Sequence, residues 1–483
     1  MGLRGAAGWG FTKEAGMADE AFDVIVIGAG PTGENVADRA IRGGLTAAIV
    51  EAELVGGECS YWACMPSKAL LRPAAAVSEA RAVNGVTGAR LNPPEVLARR
   101  DSFAHHWTDD GQVAWLESAK IVLFRGHGKI VGERLVQVGD TRLRARQAVV
   151  IATGTTAAVP AVLAGVNPWT SRAATSAHAV PGRLVIVGGG VVGCEMATAW
   201  SALCSEVTLV CPGRLLDRLP DFAGDLVAAG LRDAGVDVRL GVGVTEAKRA
   251  DAGADGGSGN GGPVTVVLDD GTSVEADEIL AATGRSPHTG DIGLEAAGLT
   301  PGSWLDVDDT MRVPAVEGGW LYAAGDVNHL ALLTHMGKYQ ARICGDAIAA
   351  RAAGREPTVR DLASKTCVPQ VIFTIPEVAA VGLTAAQAGA AGHRIRTVEY
   401  EIGKVAGANL FADGYNGRAQ MVVDQDRRTI LGLTLVGPGV GELIHSATIA
   451  VAGQVPLASL WHAVPSYPTI SEIWLRLLET YGL

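Results

Sequence analysis

The chain has 483 residues, and this length predicts about two to four domains. Nearly half of the residues, 48%, are hydrophobic, which is enough for a large core, yet no apolar run reaches the roughly 18 residues of a membrane-spanning helix. The net charge of −11 argues against nucleic acids and anionic membrane surfaces as main partners.

The first 20 residues are rich in glycine and alanine, carry mixed charges and contain no long apolar segment. They do not resemble a secretory signal, and we predict that residues 1–20 form a disordered extension. Met17 is an alternative start of the protein, because the first predicted strand already opens at Ala21.

A strand–helix–strand unit follows this extension. Residues 23–27 predict a buried strand, three glycines of a tight turn come next, and an amphipathic helix runs through Arg42. A second strand, residues 45–50, ends at Glu51. The glycines allow the backbone to approach a pyrophosphate, and an acid at this strand end binds ribose hydroxyls. The unit therefore predicts a dinucleotide-binding site.

Residues 56–68 read G-G-E-C-S-Y-W-A-C-M-P-S-K and place Cys59 and Cys64 five positions apart at the start of a predicted helix. This spacing lets two thiols cycle between dithiol and disulfide, and a helix N-terminus lowers the pKa of a thiol. A pair of buried structural cysteines is the alternative. The other five cysteines are scattered, which is typical of a reducing cytoplasm rather than of a secreted disulfide framework.

A second strand, glycine turn and helix lie about 160 residues further along the chain. The strand covers residues 183–187, the turn begins at Gly188, and the next strand covers residues 207–210. One such pattern is a weak signal, but two of them, each between a strand and a helix, indicate two nucleotide-binding folds. Two folds for a single type of nucleotide, without flavin, are the alternative.

These motifs resemble those of the FAD-dependent pyridine nucleotide–disulfide oxidoreductases, which include lipoamide dehydrogenase and the glutathione, mycothione and mercuric reductases. The family motif G-G-x-C-x-x-x-G-C-x-P-S-K matches except at Ala63, where alanine is tolerated if φ stays negative. Residues 148–154 and 278–284 resemble the family's two strand-to-turn junctions, and residues 321–327 resemble its second FAD motif. The resemblance covers about residues 22–480.

The resemblance implies an α/β fold with two Rossmann-like nucleotide-binding domains, one for FAD and one for NADPH or NADH, and a C-terminal α+β dimerisation domain. We expect the FAD-binding domain at residues 21–158 and 285–360, the NAD(P)-binding domain at 159–284 and the interface domain of a homodimer at 361–483. The glycine-rich residues 250–263 are expected to form a hairpin tip in the NAD(P)-binding domain.

By the resemblance, the cofactor-binding residues lie in the glycine turns, at strand ends and around the flavin. They are Gly28, Gly30, Gly33, Glu51, Gly57, Lys68, Gly128, Thr153, Gly154, Gly188, Gly190, Gly193, Glu195, Arg214, Gly284, Asp326, Thr334 and His335. Asp326 would bond a ribityl hydroxyl. Packing is the alternative role for His335, and no metal-binding residue is predicted.

In the implied reaction, NAD(P)H gives hydride to flavin, and electrons then reach Cys64, the sulfur nearer the flavin. Cys59 attacks the substrate disulfide as a thiolate. Lys68 matches the family's lysine beside flavin N5, and Glu195 matches its ion-pair partner; a positive charge at this place stabilises reduced flavin. A solvated helix charge is the alternative for Lys68.

The C-terminal motif departs from that of the family. The family has H-P-T-x-S-E, contributed by the second subunit, whereas this chain reads Y-P-T-I-S-E from Tyr467 to Glu472. A tyrosine hydroxyl has a reference pKa near 10, against about 6.5 for histidine, so it donates a proton but is a poor base at neutral pH. His462 is either a substitute imidazole or a surface residue. With no cysteine after residue 367, metal-ion reduction of the mercuric reductase type is unsupported.

Two further departures bear on the substrates. Tyr61 and Trp62 replace smaller residues of the family and either stack on a substrate or fill core space. NADH-specific relatives carry an acid near Cys211, and its absence, with Arg214 following, favours NADPH unless Arg214 pairs with a nearby aspartate. The expected function is a cytoplasmic NAD(P)H-dependent disulfide reductase. The alternatives are a quinone or diaphorase-type reductase with a secondary disulfide, and a redox sensor.

Overall fold

The computed structural model describes residues 19–250 and 261–483. The predicted disordered extension, residues 1–20, lies outside these ranges except for its last two residues, which open the first strand. Within the described ranges, no helix is long and apolar enough to cross a membrane.

The first sheet and its helices come mainly from residues 19–157. In chain order these elements are β1 Asp19–Ile27, α1 Pro31–Arg42, β2 Ala47–Glu51, α2 Gly57–Tyr61, α3 Cys64–Arg81, α4 Pro93–Phe103, α5 Asp110–Ser118, β3 Val122–Arg125, β4 Gly128–Gly132, β5 Leu135–Val138, β6 Thr141–Ile151 and β7 Thr155–Ala157. Strands β3, β2, β1 and β6 are parallel neighbours in that order, and β5 and β4 extend the sheet in antiparallel direction.

Strand β1 begins at Asp19, two residues before Ala21, where the strand was predicted to open. Its second half is a continuous apolar run that is buried, as expected of a central parallel strand. The two residues before Ala21 are acidic and give no strand signal, but this end of β1 pairs with the long strand β6, from Asp19 opposite Arg142 to Phe22 opposite Ala145. Main-chain pairing to a distant strand therefore overrides the local pattern.

The second sheet comes from residues 161–287. In chain order these elements are α6 Ala161–Ala164, α7 Ser171–Ser176, β8 Arg183–Val187, α8 Val191–Ala202, β9 Glu206–Cys211, α9 Asp221–Asp233, β10 Asp237–Leu240, β11 Val244–Arg249, β12 Val264–Leu268, β13 Ser273–Ala276, β14 Glu278–Ala281 and β15 Arg285–Pro287. Strands β10, β9, β8 and β14 form a parallel sheet, and β15 pairs with β7 where the chain crosses between the two sheets.

Strands β11, β12 and β13 form a small antiparallel sheet of their own. The predicted hairpin tip, residues 250–263, lies between β11 and β12, and its residues 251–260 are outside the described ranges. The two flanking strands pair antiparallel, from Val244 opposite Leu268 to Arg249 opposite Val264.

The remaining elements begin with one strand of the first sheet and then build a third sheet. In chain order they are β16 Leu321–Ala323, α10 Thr334–Ala352, β17 Gln370–Ile372, β18 Val378–Gly382, α11 Ala385–Ala390, β19 Ile395–Glu401, α12 Ala406–Phe411, β20 Arg418–Asp424, β21 Thr429–Val436, α13 Ile444–Ala452, α14 Leu457–Leu460 and α15 Ile473–Tyr481. Strand β16 pairs with β6, and the third sheet has the antiparallel order β17, β18, β21, β20, β19.

Buried apolar side chains form one cluster around the first sheet, α1 and α10, one within the C-terminal unit, and one that joins the second sheet and its helices to α3 and to strands of the third sheet. This arrangement confirms the predicted fold class, with two parallel nucleotide-binding-type sheets and a C-terminal α+β unit. The exact domain boundaries, 158/159, 284/285 and 360/361, stay predictions.

Trp200 is the largest fully buried side chain of helix α8, and its indole nitrogen has no hydrogen-bond partner among the described residues. Trp200→Ala removes only packing, and we expect it to lower the free energy of unfolding by about 3–5 kcal/mol. Urea unfolding measures the change. The control is Trp115→Ala in α5, where the side chain is 38% exposed; equal unfolding midpoints for the two variants would contradict this account.

Candidate active site

The turn after β1 and the start of α2 approach each other closely. A Cβ added to Gly57, which has φ +57°, would lie 2.8 Å from the Cα of Gly30. Inside the turn, a Cβ on Gly33 would collide with the carbonyl oxygen of Gly28. The backbone therefore comes close enough for a pyrophosphate to reach the unpaired N–H groups at the start of α1.

A cavity of ≈ 520 Å³ extends from this turn to the two thiols. The structure brings most of the predicted residues of the first site together along its wall. Those that line the cavity are Gly28, Gly30, Glu51, Gly57, Cys59, Cys64, Lys68, Gly128, Thr153, Gly154, Glu195, Asp326 and Thr334. Gly33 lies beneath the turn and does not line it.

Two buried acids lie at separate places along this cavity. The carboxylate of Glu51 accepts the backbone N–H groups of Ala29, at 2.7 Å, and Glu53, at 2.8 Å. Asp326 accepts the hydroxyl of Thr155 at 2.9 Å. Burial raises the pKa of both carboxyl groups, and their oxygens provide acceptors for the hydroxyl groups of a ligand.

Cys64 is the first residue of α3, and Cys59 lies in α2. Both thiols are free, and the hydroxyl of Thr334, at the start of α10, lies 3.3 Å from Cys64 Sγ. The hydrogen bond from Cys59, the bond from Thr334 and the charge of Lys68 lower the pKa of Cys64, against burial. The bond to Cys64 and burial raise the pKa of Cys59. Cys64 is therefore the sulfur that ionises first.

Alanine at position 63 is compatible with this geometry. Ala63 precedes α3 with φ −131°, outside the left-handed region that would require glycine. The sign of φ at this position therefore does not require the glycine of the family motif.

Lys68 lies one helical turn beyond Cys64, and its Nζ is 2.8 Å from Glu195 Oε2. Glu195 is nearly fully buried in α8, and its other carboxylate oxygen accepts the N–H of Phe373 at 3.1 Å. The Phe373 ring lies 5.0 Å from Lys68 Nζ. The ion pair thus joins the thiol helix to the second sheet and to the start of the third sheet.

The two aromatic residues between the cysteines are held within the chain. Tyr61 is fully buried, and its hydroxyl donates to the carbonyl of Val55 at 2.9 Å. The guanidinium of Arg172 lies 4.3 Å from the centre of the Trp62 ring, which lines the cavity. Tyr61 therefore fills core space, whereas Trp62 lines the cavity.

The second glycine turn repeats the geometry of the first. Gly188 has φ +122°, and a Cβ on Gly193 would collide with its carbonyl oxygen, as at the first turn. A Cβ on Gly190 would meet open space. Gly284, the last predicted glycine, precedes β15 at the crossing between the sheets. These four glycines do not line the thiol cavity, whereas Val191 and Val192, the first two residues of α8, do line it.

Two known protein-family models together match most of the chain. Residues 22–354 match the family described as pyridine nucleotide-disulphide oxidoreductase, and residues 368–477 match its dimerisation domain. The chain belongs to the pyridine nucleotide–disulphide oxidoreductases. This confirms the predicted family, that the protein is an oxidoreductase, and that FAD and NAD(P)H are the cofactors the family uses.

Similar proteins within the family include dihydrolipoyl dehydrogenases. That of Thermus scotoductus is 32% identical over 479 residues, covering 95% of this chain and 97% of the relative. That of Chlamydia muridarum is 29% identical over 474 residues, covering 94% and 96%. The HOCl-induced flavoprotein disulfide reductase RclA from Escherichia coli shares the fold, with a TM-score of 0.78 at 22% identity over 95% of this chain and 99% of RclA.

The first cavity fits the FAD of this family. The close approach of Gly30 and Gly57 leaves room for a pyrophosphate beside bare backbone, and Glu51 and Asp326 provide acceptors for ribose and ribityl hydroxyls. The matched dimerisation domain supports a homodimer. It carries exposed apolar side chains that a second subunit can cover: Leu410, Ile449 and Val464.

Three other predicted residues lie outside the first cavity. Arg214 follows β9, and its guanidinium forms an ion pair with Asp221 at 2.5 Å. Pairing with an aspartate was the alternative to binding a nucleotide phosphate. The ring Nε2 of His335 lies 2.8 Å from the carbonyl of Pro369, a contact that supports a role in packing. His462 is exposed, so the structure supports the surface alternative for this residue.

Tyr467 and Glu472 do not line the thiol cavity of their own chain. Tyr467 is 76% exposed. Glu472 is buried; its Oε1 accepts from Arg476 at 2.5 Å, and its Oε2 has no partner among the described residues. A buried acceptor without a donor is available to orient a group placed beside it.

Four charged residues of the cavity wall were not predicted from the sequence: Glu53, Glu58, Arg172 and Arg285. Glu58 occupies the one open position of the family motif before Cys59, so no pattern singles it out. Arg285 directly follows the predicted junction at residues 278–284, which was an available signal. Within the described ranges, no group of three or more histidine, cysteine or acidic side chains is placed to hold a metal ion.

Lys68 and Glu195 act on the pKa of the Cys64 thiol in opposite directions. Lys68→Met removes a cation that favours the thiolate, so we expect the pKa of Cys64 to rise. Glu195→Gln removes an anion that disfavours the thiolate, so we expect the pKa of Cys64 to fall. The measurement is a pH titration of the two-electron-reduced protein, followed by the long-wavelength absorbance of a thiolate beside flavin. Midpoints that move in the same direction, or not at all, would refute this electrostatic account.

Proposed function

We propose that this protein reduces a disulfide substrate with NADPH, through FAD and the Cys59–Cys64 pair, in the cytoplasm. The observation that carries the proposal is the position of the thiols. Cys64, the sulfur whose pKa is lowered, lies at the end of the cavity that fits FAD, between the Thr334 hydroxyl and the Lys68–Glu195 ion pair. The odd number of cysteines, seven, and the scattered positions of the five outside the pair support the reducing compartment.

Bound FAD would supply hydride transfer chemistry between NADPH and the thiols. The residues that would hold it line the cavity. Gly28 and Gly30 would present bare backbone to the pyrophosphate, and Glu51 and Asp326 would accept its hydroxyl groups. Lys68, fixed by Glu195, keeps a positive charge beside Cys64 and stabilises its thiolate.

The reduced thiols carry out disulfide exchange. The proton of Cys59 passes to Cys64, its hydrogen-bond partner, and the Cys59 thiolate attacks one sulfur of the substrate. The substrate S–S bond breaks, and the departing thiolate takes the proton from Cys64, which becomes a thiolate again. The Cys64 thiolate then attacks the sulfur of Cys59 and releases the second substrate thiolate, which is protonated in turn. The substrate gains two electrons and two protons, and the Cys59–Cys64 disulfide closes.

In this proposal, the partner subunit supplies the proton to the second substrate thiolate. Tyr467 of the partner subunit is a proton donor for a leaving thiolate, but a tyrosine hydroxyl is a poor base near neutral pH. Turnover of lipoamide and of glutathione disulfide is therefore expected to be weak. The exposure of Tyr467 and the unpartnered buried oxygen of Glu472 support a role at the subunit interface.

Each cysteine is essential for disulfide reduction in this scheme. Cys59→Ser and Cys64→Ser are expected to abolish disulfide turnover while FAD stays bound, because neither thiol binds the cofactor. Reduction of a quinone or dye survives, since flavin passes electrons to such acceptors directly. The assay compares NADPH oxidation with a panel of disulfides and with a dye. Wild-type disulfide turnover in either variant would rule out the thiol relay.

We propose that the enzyme uses NADPH as its electron donor at least as well as NADH. Arg214 lies past the end of β9, and its pairing with exposed Asp221 leaves it 42% exposed and able to turn towards a 2′-phosphate. Arg214→Glu is expected to shift preference towards NADH by repelling that phosphate. The ratio of kcat/KM for the two nucleotides measures the shift, and an unchanged ratio would show that Arg214 does not reach the phosphate.

Tyr467→His is expected to raise turnover of a small disulfide. Glu472 Oε2 is free to accept an imidazole N–H, and general acid–base catalysis is typically worth about 100-fold or more. The measurement is kcat/KM for lipoamide across pH 6–9, with Tyr467→Phe as the control that removes the hydroxyl without adding a base. No gain at any pH would show that the pocket, rather than the missing base, limits the enzyme.

A further inference from the structure

Glu58, the residue before Cys59, is bound by two arginines. Arg172 Nε donates to its Oε1 at 2.6 Å, and Arg285 Nη2 donates to its Oε2 at 2.8 Å. Both carboxylate oxygens are therefore taken by charge-assisted hydrogen bonds, the stronger class of protein hydrogen bonds. The Glu58 side chain is only 24% exposed, so it would be costly to leave unpaired there.

The two arginines come from different elements. Arg172 lies in α7, three residues after Trp169, whose backbone bridges to Leu280 in β14 of the second sheet. Arg285 begins β15, which pairs with β7 where the chain crosses between the two sheets. The carboxylate beside Cys59 is thus fixed by a helix next to the second sheet and by the strand at the crossing.

The same arginines extend the network along the cavity. Arg172 also forms a double contact with Glu53, at 3.0 and 2.7 Å. Arg285 Nε donates to the Thr155 hydroxyl at 2.7 Å, and that hydroxyl donates to Asp326. Each guanidinium is therefore locked by more than one partner, which makes it a rigid support rather than a mobile surface charge.

The backbone before Cys59 is held at Gly56, whose N–H donates to the carbonyl of Ala29 at 2.8 Å, and at Gly57, which packs against Gly30, so Glu58 is the next point of attachment before the thiol. Helix α2 has only five residues, too few to be stable alone, and no side chain caps its first turn. Its N-cap Gly56 and the next residue, Gly57, both have positive φ, at +111° and +57°, which glycine adopts freely. The far end of the loop is held by hydrogen bonds to the carbonyls of Tyr61 and Trp62.

We infer that Glu58 is a positioning residue, held by Arg172 and Arg285, that fixes Cys59 against Cys64 for attack on the substrate disulfide. The inference rests on the proposed function for its substrate. It assigns to α7 and β15 the role of holding the exchange thiol in place through Glu58.

The main test is Glu58→Gln, which keeps the size of the side chain and removes its charge. We expect kcat/KM for a disulfide to fall about 10- to 100-fold, the cost of a small misplacement of a reacting group. FAD content and NADPH-dependent dye reduction stay at wild-type levels. In the reduced protein, Cys59 is released from the bond to Cys64 that raises its pKa, so the pH midpoint for its alkylation by iodoacetamide falls.

Two companion variants sharpen the test. Arg172→Lys keeps the charge but cannot bridge Glu58 and Glu53, and it is expected to reproduce the Glu58→Gln effects in weaker form. The double variant that combines Arg172→Lys with Glu58→Gln is expected to lose no more of its kcat/KM for a disulfide than Glu58→Gln alone, because both changes break one network. The matched control is Arg183→Gln, which breaks an Arg–Asp pair of the same kind, 2.8 Å from Asp277, at the start of β8.

The alkylation midpoint of Cys59, read by peptide mass spectrometry, separates the possible outcomes. An unchanged midpoint and disulfide rate in Glu58→Gln, or a parallel loss of FAD and dye reduction, would overturn the positioning role. If the wild-type protein reduces no disulfide, the proposed function fails, while the alkylation midpoint still decides the role of Glu58. A control variant that behaves like Glu58→Gln would also overturn the inference.

Discussion

The contact between the backbones of Gly30 and Gly57 is the constraint on which the site depends. Because a single added methyl group would already lie 2.8 Å from the facing Cα, the nucleotide turn and the cysteine loop have a fixed separation. Cys59 follows Gly57 by two residues, and Cys64 begins the next helix. Backbone packing therefore sets the separation between the nucleotide turn and the cysteine loop, and the side-chain contacts of Glu58 then hold Cys59 within that loop.

Charge then distinguishes the two sulfurs. Cys64 has Lys68, its partner thiol and the Thr334 hydroxyl around it, and its pKa is lowered; Cys59 has burial and the bond to Cys64, and its pKa is raised. Glu195 keeps Lys68 in place from the second sheet. Two nearly identical groups thus receive different protonation states, as a relay that starts at one sulfur and ends at the other requires.

Local patterns predicted most of the fold and about half of the site. Strand β8 has the predicted bounds, and α1 ends at Arg42 as predicted, because glycine turns and apolar runs are local signals. The early start of β1 depends on pairing with β6, and the hold on Glu58 depends on arginines 114 and 227 residues away. The core position of Tyr61 and the pairing of Arg214 with Asp221 likewise depend on contacts formed only in the folded chain.

The central claim is that the cysteine pair is a redox centre in series with the flavin. Anaerobic titration of the oxidised protein with NADPH tests it most directly, with flavin reduction followed by absorbance and free thiols counted at each point. The account predicts about two equivalents of NADPH per flavin for full reduction, with two new thiols appearing before the flavin is fully bleached. Full reduction after about one equivalent, with no new thiols, would contradict it.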